Sequence, residues 1–394
     1  MNGSSQKTLV KGVCRQPVLG IDASRANASQ RTGVEWYALH VIQELKAVIP
    51  ASVRVVLYSK QALRDGLEEL PLNWESRVLG WSPGRFWTQL RLSWEMLRRP
   101  PDTLYVPAHA LPLILPRRSA TTIHDVAFMV RPEAYSFLSR LYNRWAAWFA
   151  VKKADLLLTV SKFSKAETIE YFGAIPDKLA VTPLGYDRDS YQPVADRAAA
   201  DAAARRYHLK APYFLFVGRL EDKKNLAGLL RAFAIFLEKF DAGRGFQLAL
   251  VGKRGVGYER SWQGIAESVR ERIVQTGYVC AEDSKFVYAD ATALVFPSWY
   301  EGFGLPIIEA FACGTPVIAS RLASIPEVAG DAVMYIDPAD SAGIAAAMDR
   351  MSRDRAARAA LVAKGLERAK GYSWKKTAEL TWAALKPLLG HGCD

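Results

Sequence analysis

Short apolar segments alternate with amphipathic segments along this sequence, and the alternation starts again in the second half of the chain. The first series of predicted strands comprises PVLGIDAS, VRVVLYS, TLYVPA, ATTIHD and ADLLLTVS. The second series comprises YFLFVG, FQLALVG, IVQTGYV, ALVFPS and PVIAS. Because strands that alternate with helices build parallel α/β sheets, the chain is predicted to contain two Rossmann-like α/β domains.

A polar, Ala-rich connection separates the two series, and the predicted boundary lies near residues 187–194. We predict a first domain over residues 1–187, a second over 188–375, and a C-terminal helix over 376–394 that packs back towards the first domain. A length of 394 residues fits two domains. Two such halves would face each other across a cleft, which is where ligands of open α/β sheets bind.

The composition is that of a soluble globular protein, with 50% hydrophobic and 23% charged residues. No apolar run reaches the roughly 18 residues that predict a membrane span, and the polar N-terminus does not resemble a secretory signal. The four cysteines show no C-x-x-C spacing, which argues against a zinc site and a disulfide framework. They are Cys14, Cys280, Cys313 and Cys393. We therefore expect reduced thiols and a cytoplasmic protein.

Positive charge is concentrated in the first half of the chain. The net charge is +12, and residues 1–184 hold 24 Lys and Arg against 15 Asp and Glu. Such an excess favours an anionic partner, which could be nucleic acid, a phosphorylated substrate or an acidic membrane. The charge alone does not choose among the three.

The stretch YEGFGLPIIEAFACGTPVIAS carries Glu301 and Glu309 among apolar residues. Two glycines and Pro306 between these acids oppose one continuous helix. We predict that a loop carries Glu301 and that a helix starts near Leu305, with Gly314 as its C′ cap. Both acids would then lie at the carboxyl edge of the sheet, beside a helix N-terminus that suits phosphate. Alternatively, Glu309 only complements the helix dipole and Glu301 is a solvated loop residue.

A basic turn follows the first strand of the second half, in FVGRLEDKKNLAGLLRAF. Arg219 and Lys224 would project positive charge from the strand end, and Asn225 would cap the next helix. Two cations beside a helix N-terminus suit a diphosphate, because Arg offers a planar fork and Lys a point charge. Lys223 is predicted to be their solvated neighbour. A solvated turn that binds nothing is the alternative.

Taken with its neighbours, the glutamate stretch resembles the E-x7-E signature of the retaining GT-B glycosyltransferases called group 1, or family 4. The basic turn resembles the phosphate-binding segment of that family, and TIHDVAF and ADLLLTVSKFSKAETIEYFG resemble the inner edge of its first domain. VTPLGYD resembles the exit into the linker, and GYSWKKTAELTW the closing helix. These six segments follow family order over about 350 residues. The resemblance implies a GT-B fold and a hexosyltransferase that uses a nucleotide sugar.

The resemblance also implies roles for residues of the glutamate stretch. Glu309 would bind the ribose hydroxyls of the nucleotide. Glu301 would face the donor sugar, beside the backbone N–H groups of Phe303, Gly304 and Leu305.

Residues at other strand ends receive roles from the same resemblance. Arg219 and Lys224 would neutralise the donor diphosphate, and stabilisation of developing charge is usually the largest catalytic effect. Tyr278 and Val279 would line the base pocket, mostly through backbone atoms. VGKRGVGYE matches neither a Walker A motif nor a G-x-G-x-x-G turn, and Lys253 within it is interpreted as a surface-loop residue.

In the first domain, His124 ends the strand TTIH and resembles the family histidine near the donor sugar. A neutral imidazole can donate one hydrogen bond and accept another, which suits orienting or polarising a sugar. A purely structural histidine is the alternative. Gly33 stands where the family has a glycine-rich loop near the diphosphate, and Arg31 is a second source of positive charge there.

We predict neither a metal nor a cofactor besides the donor substrate. Many glycosyltransferases hold a metal with a D-x-D motif. The only D-x-D of this chain runs from Asp187 to Asp189, in the linker and not after an apolar strand.

Two segments, GRFWTQLRLSWEMLRRP and FLSRLYNRWAAWFAVKK, interleave aromatic and basic residues. Trp87, Trp94, Trp145 and Trp148 suit a polar–apolar interface, and the cations add attraction to anionic lipids. Peripheral docking at the inner face of a membrane and ordinary packing of amphipathic helices on a sheet both fit this pattern.

Three functions compete at this point. The first is a retaining glycosyltransferase that moves a hexose, with mannose from GDP-mannose as the best match, to a glycan or lipid-linked glycan in cell-surface polysaccharide synthesis. TIHDVAF and KFSKAETIEYFG resemble mannosyltransferases of that process. The second is a nucleotide-sugar epimerase of the same fold, which the basic turn and the E-x7-E pattern oppose. The third is a basic nucleic-acid-binding protein, but no recognition motif for nucleic acid appears.

Overall fold

The computed structural model describes residues 15–29, 31–82, 86–241 and 243–390. Within these ranges the strands form two parallel sheets, one from each half of the chain, with helices between most successive strands and loops between the second and third strands and between the fourth and fifth. The predicted α/β fold of two Rossmann-like domains facing across a cleft is confirmed. Cys14 and Cys393 lie outside the described residues.

The first sheet contains seven strands among the described residues, in the order β3-β2-β1-β4-β5-β6-β7. They are β1 Val18–Asp22, β2 Arg54–Ser59, β3 Trp74–Val78, β4 Thr103–Val106, β5 Arg118–Ile123, β6 Leu156–Thr159 and β7 Leu179–Val181. The helices of this half are α1 Gly33–Val48, a π-helical segment Trp87–Leu92 that continues into α2 Ser93–Arg98, α3 Ala127–Val130, α4 Phe137–Lys153 and α5 Lys162–Phe172, with 3-10 turns at Pro132–Ala134 and Pro176–Lys178.

The second sheet contains six strands among the described residues, in the order β10-β9-β8-β11-β12-β13. They are β8 Tyr213–Val217, β9 Gln247–Val251, β10 Ile273–Gly277, β11 Ala293–Phe296, β12 Val317–Ser320 and β13 Met334–Ile336. The helices are α6 Arg197–Arg206, α7 Leu226–Lys239, α8 Tyr258–Ser261, α9 Glu267–Arg270, α10 Ala281–Ala289, α11 Leu305–Ala312, α12 Ile325–Ala329, α13 Ser341–Arg353, α14 Arg355–Ala369 and α15 Trp374–Leu385, with 3-10 turns at Asp222–Lys224 and Lys386–Leu389.

The strand orders determine where a ligand can bind. In the second sheet the chain moves outward from β8 through β9 to β10, and then returns to β11 on the other side of β8. Strand order therefore reverses between β8 and β11, and a crevice opens at such a switch point outside the carboxyl ends of the strands. The loops at this point are the basic turn after β8 and the glutamate-bearing loop after β11.

The ten predicted strands are all present, and three short strands escaped prediction. β3 has alternating exposure, β7 has only three residues, and β13 likewise has three. Each of the three is an edge strand of its sheet, where few apolar residues are needed. The closing helix is shorter than predicted, because α15 ends at Leu385 and a 3-10 turn follows.

Helix α15 packs against helix α1 of the first half. The Trp374 ring stacks on the His40 ring, with centroids 5.0 Å apart, and Thr377 Oγ1 donates a hydrogen bond to the Pro183 carbonyl over 2.7 Å. Beside this contact the chain segment that leaves the first sheet touches the backbone at the start of α15. A Cβ atom on Gly185 would lie 2.1 Å from the Trp374 amide nitrogen. The predicted division of the chain at residues 187 and 375 stays a prediction.

We predict that Gly185→Ala destabilises the protein by at least about 2 kcal/mol, because its methyl group must displace backbone atoms and not a flexible side chain. Thermal and urea unfolding measure the loss. Gly80→Ala is the matched control, since a Cβ atom there meets no atom within 4 Å. Equal stability of the two variants would contradict the close contact at Gly185.

Candidate functional site

The basic turn begins where β8 ends, and the predicted cap is present. Gly218 follows the strand with a φ of 147°, and the turn ends at Asn225 with a φ of 57°. Asn225 Oδ1 accepts the Gly228 N–H over 3.2 Å at the start of α7, and Asn225 Nδ2 donates to the Pro338 carbonyl over 2.7 Å. Both ends of the Asn225 side chain are thus committed, and the turn is fixed to the sheet behind it.

The turns after β8 and β9 touch through their backbones. Gly252 has a φ of 138°, and a Cβ atom on it would lie 1.9 Å from the Gly218 carbonyl oxygen. The Gly252 N–H donates to the Gly277 carbonyl over 2.8 Å, which connects the end of β10 to the same layer. The backbone atoms at the ends of β8, β9 and β10 therefore form a surface without side chains, which a ligand can approach closely.

The glutamate loop and its helix follow the predicted pattern. Helix α11 begins at Leu305, directly after Gly304 with a φ of 105°, and Gly314 follows its C-cap with a φ of 74°. Pro306 occupies the second helical position, where its missing N–H costs nothing. The helix N-terminus points into the crevice between β8 and β11, and its partial positive charge suits an anion there.

Lys224 and Glu301 form a buried ion pair in the crevice. Lys224 Nζ lies 2.5 Å from each oxygen of the Glu301 carboxylate, and Glu301 is only 7% exposed. Lys224 Nζ also lies 5.6 Å from the centre of the Phe296 ring. A buried charge needs such a partner, and the alternative of a solvated Glu301 is excluded by its burial. An ammonium has three N–H donors, so Lys224 can still donate to a ligand.

Lys223 is not the solvated neighbour that the sequence predicted. Its side chain is 12% exposed and reaches the first half of the chain, where its Nζ lies 3.9 Å from Asp125 Oδ2. Burial lowers the pKa of Lys223, but the Asp125 carboxylate and further acidic groups raise it well above its usual value. The prediction failed because the partner is 98 positions away in sequence and in the other sheet.

Glu309 lies on the second turn of α11 among tyrosines. Its carboxylate accepts the Tyr288 hydroxyl over 2.7 Å, and the Tyr191 and Tyr288 rings meet edge to face at 5.9 Å. Burial raises the pKa of Glu309 to about 7, although hydrogen bonds from Tyr288 and Tyr191 lower it in part. The two acids of the stretch therefore have different environments, one beside a cation and one among neutral hydroxyls. Neither tyrosine belongs to a motif that the sequence shows.

His124 lies at the end of β5 and faces the glutamate loop. Its Nε2 lies 3.2 Å from the Pro107 carbonyl, and its ring meets the edge of Tyr37 at 4.7 Å. Burial lowers the pKa of His124 to about 4, so the imidazole is neutral at pH 7. Because a carbonyl can only accept, Nε2 is the protonated nitrogen and Nδ1 is an acceptor. His124 can thus accept a hydrogen bond from a ligand but has no second N–H to donate.

The remaining predicted residues lie around the crevice with different exposures. Arg219 and Lys253 are exposed at the ends of β8 and β9. Tyr278, after β10, is 58% exposed, while Val279 beside it is buried. These four positions line the strand ends where a nucleotide would lie.

In the first half, Gly33 is exposed at the first position of α1, with no atom within 4 Å of a Cβ atom there. Arg31 is committed to structure, because it pairs with Asp65 at 2.5 Å and donates to the Ala26 carbonyl. The suggestion that Arg31 supplies free positive charge to a ligand is therefore not supported by its contacts.

The D-x-D segment is folded on itself. Asp187 accepts the Asp189 N–H over 3.0 Å and the Ser190 hydroxyl. Among the described residues, no group of three or more His, Cys, Asp or Glu side chains could hold a metal ion.

The tryptophans of the two aromatic segments differ in their exposure and contacts. Trp87 is 1% exposed and donates from Nε1 to the Leu79 carbonyl, so the alternative of a place at an interface is excluded for it. Trp94 and Trp148 are about half exposed, and Trp145 stacks on Phe149 with ring centres 5.5 Å apart. The π-helical turn and α4 meet where Gln89 Nε2 donates to the Tyr142 hydroxyl.

A set of polar contacts joins the two halves beside the site, and we call it the seam. Its hydrogen bonds connect α5 and the end of β5 to the glutamate loop and α12. Its residues are Asp125, Val126, Ser161, Lys162, Phe163, Ser164 and Glu167 of the first half, and Lys223, Tyr300, Gly302 and Glu327 of the second. Sequence reasoning missed the seam, although Ser161 and Ser164 stand at the start of a predicted helix where capping residues occur.

The chain resembles known proteins over most of its length. A family profile described as Glycosyltransferase Family 4 matches residues 31–190, and one described as Glycosyl transferases group 1 matches residues 211–354. The O-antigen chain mannosyltransferase B of Escherichia coli is 36% identical over 275 residues, which cover 69% of this chain and 71% of that protein.

Solved structures share the fold at lower identity. Sucrose-phosphate synthase from Thermosynechococcus elongatus superposes with a TM-score of 0.73 at 20% identity, over 94% of this chain and 99% of that one. HepE of Anabaena in complex with UDP-glucose superposes with a TM-score of 0.70 at 16% identity, over 95% and 100% of the two chains. At these identities the likeness shows a common fold and nothing about the substrate.

We predict that Glu309 makes the protein less stable as pH rises. The pKa of Glu309 is about 7 in the folded chain and 4.5 in the unfolded chain. The stability that its carboxyl group contributes is therefore fully present below pH 4.5 and is lost as pH rises through 7. The free energy of unfolding of Glu309→Gln, relative to that of the parent, should therefore rise by on the order of 2 kcal/mol between pH 5 and pH 8. Urea unfolding at the two pH values measures the difference. Glu267→Gln, which removes an exposed carboxylate, is the control; a parallel response of both variants would contradict the assignment.

Proposed function

This chain belongs to the group 1, or family 4, glycosyltransferases, and from that membership we propose that it transfers mannose, with retention, from GDP-mannose to a glycan or lipid-linked glycan acceptor. The acceptor belongs to cell-surface polysaccharide synthesis, and the reaction needs no metal or cofactor. The observation that carries the proposal is the meeting of Glu301 and Lys224 with the loop of His124 across the two sheets. The likeness to a mannosyltransferase favours transfer over epimerisation.

The crevice between β8 and β11 has the groups that a departing nucleoside diphosphate requires. Cleavage of the sugar–phosphate bond leaves negative charge on the diphosphate and positive charge on the sugar. Arg219, the third N–H of Lys224 and the amides of Gly304 and Leu305 at the α11 N-terminus would meet the diphosphate. Preorganised donors of this kind stabilise charge as it develops. Phe303 adds a further N–H beside them.

The nucleoside and the sugar would lie on either side of the diphosphate. Glu309 would accept hydrogen bonds from the ribose hydroxyls, and Tyr278 and Val279 would border the base. On the sugar side, Glu301 would accept from hydroxyl groups, and His124 would accept a further one at Nδ1. Gly33, with no side chain, would allow α1 of the first half to approach the diphosphate.

We predict that a panel of nucleoside diphosphates will stabilise the protein selectively, with GDP above UDP. A ligand at 100 times its Kd adds about 2.7 kcal/mol, which a thermal-shift measurement detects. Glu309→Ala and Lys224→Met should each weaken GDP binding at least tenfold. The exposed Lys239→Met is the control.

A preference for UDP would overturn the proposed donor. Unchanged GDP binding in both site variants would overturn the proposed site. Release of GDP from GDP-mannose should require an acceptor, since an epimerase would not release the nucleotide in this way.

The proposal includes peripheral attachment to the cytoplasmic face of a membrane through α4 and the π-helical segment. Phe137, Leu138, Leu141 and Trp148 are each between 49% and 75% exposed on α4. Helix α4 also carries four Arg or Lys residues and no Asp or Glu. Exposed apolar residues among cations suit an anionic lipid surface. No helix among the described residues is long and apolar enough to cross a bilayer.

We predict that the protein sediments with anionic lipid vesicles at low salt and is released at high salt. Basic residues near such a surface contribute about 1 kcal/mol each, so Arg140→Glu with Arg144→Glu should reduce binding by at least tenfold. Arg231→Glu with Lys239→Glu changes the same charge on exposed positions of α7 and is the control. Attachment through α4 would be ruled out if the protein bound no vesicles at any salt concentration. It would also be ruled out if the two double variants bound vesicles equally.

A further inference from the structure

Gly302 lies between the donor-side Glu301 and the loop of His124, in closer contact than any side chain would permit. A Cβ atom on Gly302 would lie 2.4 Å from the His124 carbonyl oxygen and 2.9 Å from Asp125 Cβ. The φ of Gly302 is not in the left-handed region that favours glycine. Glycine is therefore required here by close approach and not by backbone conformation.

Two buried serines satisfy the carbonyls on both sides of this contact. Ser161 Oγ lies 2.7 Å from the Gly302 carbonyl, and Ser164 Oγ lies 3.1 Å from the His124 carbonyl and 3.2 Å from that of Gly302. Each hydroxyl has one proton to donate. The assignment that satisfies both carbonyls has Ser161 donating to Gly302 and Ser164 donating to His124. One helix turn thus holds the two loops together.

Other contacts of the seam support the same arrangement. The Tyr300 hydroxyl accepts the Val126 N–H over 3.2 Å and donates to Glu167. Glu327 accepts the amides of Lys162 and Phe163 at the start of α5, over 2.9 and 3.1 Å. The glutamate loop is therefore fixed from the first half of the chain as well as from its own sheet.

We propose that Gly302 is a positioning residue, whose missing side chain lets the first half of the chain set the place of Glu301 relative to His124. The two residues belong to different sheets, and the contact at Gly302 lies one peptide from Glu301 and on the carbonyl of His124 itself. It fixes their separation more directly than the distant packing of α15 on α1. The proposal rests on the proposed transfer reaction only for its kinetic consequence.

In Gly302→Ala, the methyl group would need the His124 carbonyl to retreat by about 1 Å to reach an ordinary contact of 3.4 Å. A misplacement of that size can lower turnover about 100-fold. We expect kcat with GDP-mannose and acceptor to fall about 100-fold, while the Kd for GDP stays within twofold, because Arg219, Lys224 and Glu309 all belong to the second half. Gly80→Ala, with open space around it, should keep both values.

Hydrogen exchange gives a second measurement that does not depend on the reaction. The amides of Val126, Lys162 and Phe163 donate to side chains across the seam, and they should lose protection in Gly302→Ala but not in Gly80→Ala. If Gly302→Ala does not fold, Ser161→Ala adds no atoms and should show the same loss of protection with a smaller fall in kcat.

The positioning role would be overturned if folded Gly302→Ala kept both its kcat and its amide protection. It would also be overturned if Ser161→Ala kept both. If Gly302→Ala loses protection but the parent protein transfers no sugar from any donor, the proposed function would be contradicted while the positioning role of Gly302 in the seam would stand.

Discussion

The buried ion pair between Lys224 and Glu301 is the interaction on which the organisation of the crevice depends. A carboxylate that is 7% exposed can remain in place only with a partner, and Lys224 supplies one from the turn after β8. The pair joins the loops on the two sides of the switch point. It also makes the crevice less positive than the sequence suggests, because Lys223 and Lys224 each face a carboxylate. The groups that remain for the proposed diphosphate are then exposed Arg219, the third N–H of Lys224 and the α11 N-terminus.

The two glutamates of the E-x7-E pattern show that one loop and the helix that follows it can hold two acids in different environments. Glu301 faces an ammonium, while Glu309 faces the hydroxyls of Tyr191 and Tyr288. Burial without a cation raises the pKa of Glu309 to about 7. A ribose hydroxyl that donated to this carboxylate would favour its charged form, so the proposed nucleotide binding would be coupled to loss of a proton from Glu309. Glu301 has its countercharge before any ligand arrives.

Local features of the fold could be predicted from the sequence, and distant contacts could not. The strand ends, the Asn225 cap and the start of α11 depend on neighbouring residues, so propensity and capping rules suffice. Lys223 was misjudged because its partner Asp125 lies in the other sheet. The sequence left open whether Trp87 lies at an interface or packs on the sheet, because its burial depends on distant contacts such as its hydrogen bond to the Leu79 carbonyl. The family resemblance supplied the candidate site residues, which stay predictions, but the protonated nitrogen of His124 depends on the Pro107 carbonyl, which no motif reveals.

The two halves divide the work of the proposed reaction unequally. The groups proposed for the nucleotide come almost entirely from the second half of the chain, so that half would bind a nucleoside diphosphate with little help. The proposed transfer step would also involve His124, whose Nε2 lies 3.2 Å from the Pro107 carbonyl, so that its neutral ring accepts only at Nδ1. Since the loops that carry His124 and Glu301 meet at Gly302, the seam would enclose the sugar end of the proposed donor. Such enclosure would exclude water from the bond that breaks and would limit hydrolysis of the donor before the acceptor attacks.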